Sequence, residues 1–171
     1  FSPVTLPSGD GKGLKVKAEE IEARYPGELA ELGRQRLAYL SAEYLAALKK
    51  NPEDARALSQ LGILYGENGM YNEALEQFQK LLSVDKDNAL ALNNLGNIYF
   101  MQDRLEDAQQ AYEASLKAEP GDTGIMVNLS RILLKRGKKA EAKQVLLQAA
   151  AIDPRVVRQF SDLAAELGVA K

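Results

Sequence analysis

An interval of 34 residues governs this chain. Leu58, Leu61, Gly62 and Tyr65 recur as Leu92, Leu95, Gly96 and Tyr99, and again with substitutions as Met126, Leu129, Ser130 and Leu133, each set displaced by 34 positions. The second half of each unit keeps the same interval through Ala74, Ala108 and Ala142, and through Phe78, Tyr112 and Leu146. Pro52, Pro120 and Pro154 hold one phase, with Lys86 in place of a proline. A unit this short cannot bury its own apolar face, so successive units must stack into an array.

Within a unit the pattern is that of two helices. Leu92, Leu95, Gly96 and Tyr99 fall at i, i+3, i+4 and i+7, which places them on one buried face, and Leu105, Ala108 and Tyr112 supply a matching face in the second helix. Between the helices lie GENGMY, MQDR and KRGKK, turn segments whose glycines suit a helix C-terminus. Asp54, Asn88 and Asp122 keep the interval and precede the first helices, where a short side-chain oxygen can accept from an orphan amide. The small residues in the apolar stripe imply close backbone approach, with Gly62 expected to face Ala74 and Gly96 to face Ala108.

On these residues the chain resembles the tetratricopeptide repeat family. LxxLGxLY with a following Ala74 and Phe78, and LNNLGNIY with Ala108, Tyr112 and Pro120, match its pattern; the third unit departs by Ser130 for glycine and Leu133 for tyrosine. The resemblance implies an all-α, right-handed α-solenoid of antiparallel helix pairs. Its three repeats span about 53–86, 87–120 and 121–154. Upstream, the sequence predicts an extended arm or linker over 1–15 and a degenerate helical cap over 16–52, with a short helix near Val16–Tyr25 and a longer one from about Pro26 to Lys50. Downstream, Phe160, Leu163, Ala164 and Leu167 predict a capping helix over 155–171, with Arg155, Arg158, Asp162 and Glu166 on its polar side. From the start at Phe1, without an initiator methionine, a trimmed or processed chain is expected.

The resemblance also implies a function: a protein-interaction scaffold whose first helices line a concave groove for a partner's peptide segment. The groove positions correspond to Ser59, Ile63, Leu90, Asn93, Asn97, Phe100, Met101, Val127, Arg131 and Leu134. The Phe100 ring is expected to leave the core, and Arg131 to favour an acidic partner group. The asparagines of LNNLGNIYF can equally bond a neighbouring repeat. The carboxylate clamp of chaperone-binding members would fall on Ser59, Ile63, Asn94, Gly124 and Asn128, of which only Asn94 fits. Without cations there, a chaperone's C-terminal carboxylate has no charge-assisted partner. A structural role is the alternative, either homo-oligomerisation through the arm or caps or contact with an upstream domain.

Composition narrows the chemistry. With 24 acidic and 22 basic residues the net charge is −2, which gives no electrostatic case for nucleic acid or a membrane surface. No apolar run approaches the ~20 residues of a membrane span. There is no cysteine and no histidine, which removes thiol catalysis, zinc thiolates, and the commonest general base and metal ligand. The compartment stays open between cytoplasm and periplasm. GDGKG at 9–13 lacks the spacing and the hydroxyl of a phosphate loop. Lys135, Arg136, Lys138 and Lys139 form a compact basic turn without the extent of a polyanion footprint. The sequence therefore predicts no enzyme, no metal and no cofactor.

Overall fold

The computed structural model describes residues 26–169, so the expected arm, the helix near Val16–Tyr25 and the GDGKG segment lie outside the described residues. Helix α1 (Pro26–Lys50) begins at its proline, where the missing N–H is one the first turn would leave unbonded anyway. The described residues divide into two units, 26–43 and 44–169. In the first unit Leu32 and Tyr39 are exposed. Ser41 there is buried and donates through its hydroxyl to the Ala38 carbonyl at 3.2 Å.

The second unit is an α-solenoid of helix pairs: α2 (Ala55–Glu67) with α3 (Tyr71–Val84), α4 (Ala89–Met101) with α5 (Leu105–Ala118), and α6 (Thr123–Lys135) with α7 (Lys139–Ile152). Each second helix also packs on the first helix of the next pair. The first helices start alike. Asp54, Asn88 and Asp122 accept from the amides of Ala57, Ala91 and Ile125 at 2.9, 2.9 and 3.0 Å, each satisfying a donor that has no partner within the helix.

The turn within each pair is also one structure used three times. Gly69 (φ 74°), Asp103 (φ 58°) and Gly137 (φ 77°) hold the left-handed position at the 34-residue interval. This reversal lets the amides of Met70, Arg104 and Lys138 reach back to the carbonyls of Tyr65, Tyr99 and Leu133 at 2.9, 2.8 and 2.8 Å, closing the helix end. Asp103 is the non-glycine exception, and aspartate is among the few side chains that tolerate this region.

The atoms nearest the stripe glycines are ring atoms, not the alanine methyls. A methyl group built on Gly62 would lie 2.8 Å from Cζ of Phe78, and one on Gly96 would lie 2.6 Å from Cε1 of Tyr112. The neighbours that require glycine are therefore the aromatic rings of α3 and α5, which fill the space where a Cβ would stand. Ala74 and Ala108 are buried beside them. The third repeat changes both partners together: Leu146 replaces the ring, and Ser130 occupies the glycine position, its hydroxyl donating to the Ala142 carbonyl at 2.8 Å. Ser130 and Leu146 are both fully buried, so the smaller apolar side chain accommodates the larger small residue.

The C-terminal segment differs from the single capping helix expected over 155–171. It forms α8 (Arg155–Gln159) and α9 (Ser161–Glu166), broken at Phe160, whose backbone leaves the helical region at φ −116° and ψ 47°. The apolar spacing Val156, Phe160, Leu163, Leu167 runs unbroken across the joint, so periodicity alone could not reveal it. Both pieces still close the array, since Val156, Leu163, Ala164 and Leu167 join the core of the last repeat.

Two outcomes follow from these contacts. Gly96→Ser should destabilise the fold by about 1 to 3 kcal/mol through overpacking. Combining it with Tyr112→Leu, which copies the third repeat, should cost less than the sum of the singles by about 0.5 kcal/mol or more. Chemical denaturation of the four proteins measures that coupling, and strict additivity would reject the ring-over-glycine contact. Separately, Gly69→Ala and Gly137→Ala should each lose about 1 to 2 kcal/mol, although a methyl at either position meets no atom within 4 Å. Melting midpoints read this directly, and unchanged values would contradict the left-handed turns.

Candidate functional site

The first helices α2, α4 and α6 share one side of the array with α9, and the gaps between them are three depressions. The first, about 300 Å³, lies between α2 and α4 and is lined by Ile63, Glu67, Asn94, Asn97 and Met101, with Tyr71 and Phe78 of α3 behind them. The second, about 240 Å³, lies between α4 and α6 and is lined by Asn97, Phe100, Met101, Asn128 and Arg131, with Tyr112 behind. The third, about 440 Å³, is bounded by Phe100, Arg131, Leu134 and Lys135 on one side and by Phe160, Asp162 and Glu166 on the other. Asn97 and Met101 line the first two, and Phe100 and Arg131 line the last two. The depressions therefore adjoin as one trough.

The three asparagines have separate structural roles. Asn97 Oδ1 accepts from the Tyr112 hydroxyl at 2.7 Å and from Asn128 Nδ2 at 3.3 Å. With its oxygen engaged twice, Asn97 has its Nδ2 donors to present to the trough it lines. It bonds the neighbouring repeat and lines the trough at once. Asn94 Nδ2 donates to the Leu90 carbonyl of its own helix at 2.9 Å. Asn93 Oδ1 is buried and has no hydrogen-bond partner.

Six of the ten expected groove residues, Ile63, Asn97, Phe100, Met101, Arg131 and Leu134, come together here. Val127 does not: it is 1% exposed and belongs to the core of the last repeat, so the expectation that it meets a ligand is overturned. A residue one position beyond Met126 of the stripe stays covered because α5 and α7 both pack on α6, leaving Ile125 to Val127 all buried. Ser59, Leu90 and Asn93 line none of the three depressions. Phe100 is also less free than its spacing implies. It is half-buried against the core, with the Lys135 ammonium 4.9 Å from its ring centroid.

The sequence did not single out Glu67, Tyr71, Asn128, Lys135, Phe160, Asp162 and Glu166 as groove residues. For two of them a signal was present, since Glu67 and Lys135 each stand one helical turn after an expected groove residue, Ile63 and Arg131. The cap residues had none, because only the return of α9 alongside α6 brings them to the trough. The basic turn is paired chiefly through Arg136, and more loosely through Lys138, while Lys135 makes only a long, exposed approach. Arg136 meets Glu106 at 2.7 Å and also bonds Gln109, Lys138 approaches Glu141 at 3.6 Å, and Lys135 approaches Asp103 at 3.8 Å. Among the described residues no cluster of carboxylates could hold a metal ion, and no helix is long and apolar enough to cross a membrane.

Tetratricopeptide repeat models match residues 59–123 and 100–167, together spanning most of the helix pairs and the cap. The chain belongs to the tetratricopeptide repeat family. Among solved structures, MamA is similar at 21% identity and a TM-score of 0.69, over 82% of this chain and 84% of that one. YrrB, described as a tetratricopeptide repeat protein with an unusual peptide-binding site, is similar at 24% identity and a TM-score of 0.64, over 73% of this chain and 66% of that one. PilF from Pseudomonas aeruginosa aligns at 25% identity and a TM-score of 0.67, over 87% of this chain and 69% of that one. No curated protein sequence matches. The repeats make the chain a protein-interaction scaffold, and the neighbours share its fold.

Burial pushes the Tyr112 hydroxyl up to about 12, against a smaller opposing pull from Arg131. The neutral phenol is therefore favoured in the folded chain, and the unfolded chain loses that proton first, near pH 10. Stability contributed by Tyr112 is complete below pH 10 and is lost as pH rises toward 12. Absorbance titration of the tyrosinates should show a late ionisation that Tyr112→Phe removes, beside that of Tyr65, which burial also raises. Retention of that late step in the variant would assign it elsewhere.

Proposed function

We propose that the trough along α2, α4, α6 and α9 holds a segment of a partner protein. The observation that carries this reading is the run of adjoining depressions, in which apolar surface from Ile63, Met101, Phe100 and Leu134 alternates with the amides of Asn97 and Asn128. An extended or helical segment needs both: apolar contacts supply affinity, and fixed amides satisfy polar groups that would otherwise be buried unpaired. Met101, 62% exposed at the junction of two depressions, is large apolar surface left in water until a partner covers it. The role is binding without catalysis. The composition supports this, as the chain contains no histidine or cysteine.

The absence of cysteine makes the test clean. A photo-crosslinker on Met101→Cys should capture a defined segment of a partner, while the same group on Leu147→Cys, exposed on α7 away from the trough, should not. A synthetic peptide of the captured segment should then bind Met101→Ala more weakly by about 1 to 3 kcal/mol with an unchanged melting midpoint. Equal capture from both positions, or equal affinity, would overturn the reading. Met101 is the better probe than Phe100, whose truncation would also open the core.

A further inference from the structure

The third depression differs from the other two in its charges. Arg131 and Lys135 stand on its α6 wall, Asp162 and Glu166 on its α9 wall, and the floor between them is apolar, formed by Phe100, Leu134, Phe160 and Leu163. Opposite charges on facing walls would be expected to pair. Among the described residues they do not: no ion pair within 4.0 Å joins the two walls. The cations lie over rings instead, Arg131 with its guanidinium carbon 5.0 Å from the Phe160 centroid and Lys135 with its ammonium 4.9 Å from that of Phe100. Lys135 otherwise has only the 3.8 Å approach to exposed Asp103.

Ring contacts hold a cation in place without neutralising it. The wall charges therefore keep most of their capacity for a ligand, and the cavity of about 440 Å³ between them has room for one bulky apolar side chain. We infer that this depression is the anchoring subsite for a peptide segment in which an aromatic or large aliphatic residue is flanked by an acidic residue on one side and a basic residue on the other. The anchor fills the floor, the acidic flank meets Arg131 and Lys135, and the basic flank meets Asp162 and Glu166. A uniformly acidic segment would gain at the α6 wall and lose at the α9 wall, and a uniformly basic one the reverse. With the backbone direction of the segment set by the amides of the trough, the two unlike walls select one order of flanks, because the other order sets like charges together. This inference rests on the trough being a peptide site and adds the chemistry and polarity of its occupant.

The test uses four short synthetic peptides with a central Phe in a neutral background. One carries Glu before and Lys after the Phe, one carries the two exchanged, one has Gln at both positions, and one has Glu at both. One of the two bipolar orders should bind about tenfold tighter than the neutral and doubly acidic peptides at low salt, the sum of two partly exposed ion pairs. The preference should shrink as salt rises. Exchanging the walls, with Arg131→Glu and Lys135→Glu joined to Asp162→Lys and Glu166→Lys, should invert which order is preferred. If that variant melts early, the milder Asp162→Asn with Glu166→Gln should still erase the advantage of the bipolar peptide over the doubly acidic one. Equal affinity for all four peptides, or an order preference that survives wall exchange, overturns the inference. Binding that ignores the walls but falls in Met101→Ala would leave the trough standing as a peptide site and refute only its bipolar anchor.

Discussion

An aromatic ring laid over a glycine sets the geometry of this protein. Phe78 over Gly62 and Tyr112 over Gly96 bring the two helices of a pair so close that a single methyl group would clash at 2.8 or 2.6 Å. A close crossing leaves the two helices one relative placement, and repetition at 34 residues makes each pair a near-copy of the last. The third pair obeys the same volume rule with different chemistry, Ser130 against Leu146, and anchors its hydroxyl on the Ala142 carbonyl so that no buried polar atom is left unpaired. Volume is conserved across the contact while residue identity is not.

From that contact the trough follows. Tyr112 reaches past Gly96 to place its hydroxyl on Asn97 Oδ1, and the same oxygen receives Asn128 from the next repeat. A core side chain thus orients the amide at the centre of the trough, and it does so in a site buried enough to hold the phenol neutral to about pH 12. Packing and recognition are linked through one hydrogen-bonded group. The trough is shaped by helices whose starts are fixed by side-chain caps and whose ends are fixed by left-handed turns, so its lining residues sit on rigid elements.

The end of the trough is built differently. Its far wall belongs to the cap, where the helix breaks at Phe160 and resumes as α9. The ring at the break lies under Arg131, so a residue that serves the core also holds a cation at the rim. The cap thus contributes a wall to the site as well as closing the core.

The sequence alone determined the period, the helix pairs, the caps at Asp54, Asn88 and Asp122, and the family, because these depend on residues a turn or a repeat apart, where spacing dictates which side chains share a face. The family resemblance pointed to six of the first-helix residues that line the trough, Ile63, Asn97, Phe100, Met101, Arg131 and Leu134. The tertiary structure decided what spacing cannot express. The atoms nearest Gly62 and Gly96 are ring atoms, not alanine methyls, since the offset between two packed helices depends on their crossing. Val127 is buried although it lies beside Arg131-bearing surface, because exposure depends on how far neighbouring helices wrap around α6. Asp162 and Glu166 face Arg131 and Lys135 across a cavity on the helix that follows a backbone break at Phe160, and an unbroken apolar period carries no record of that break.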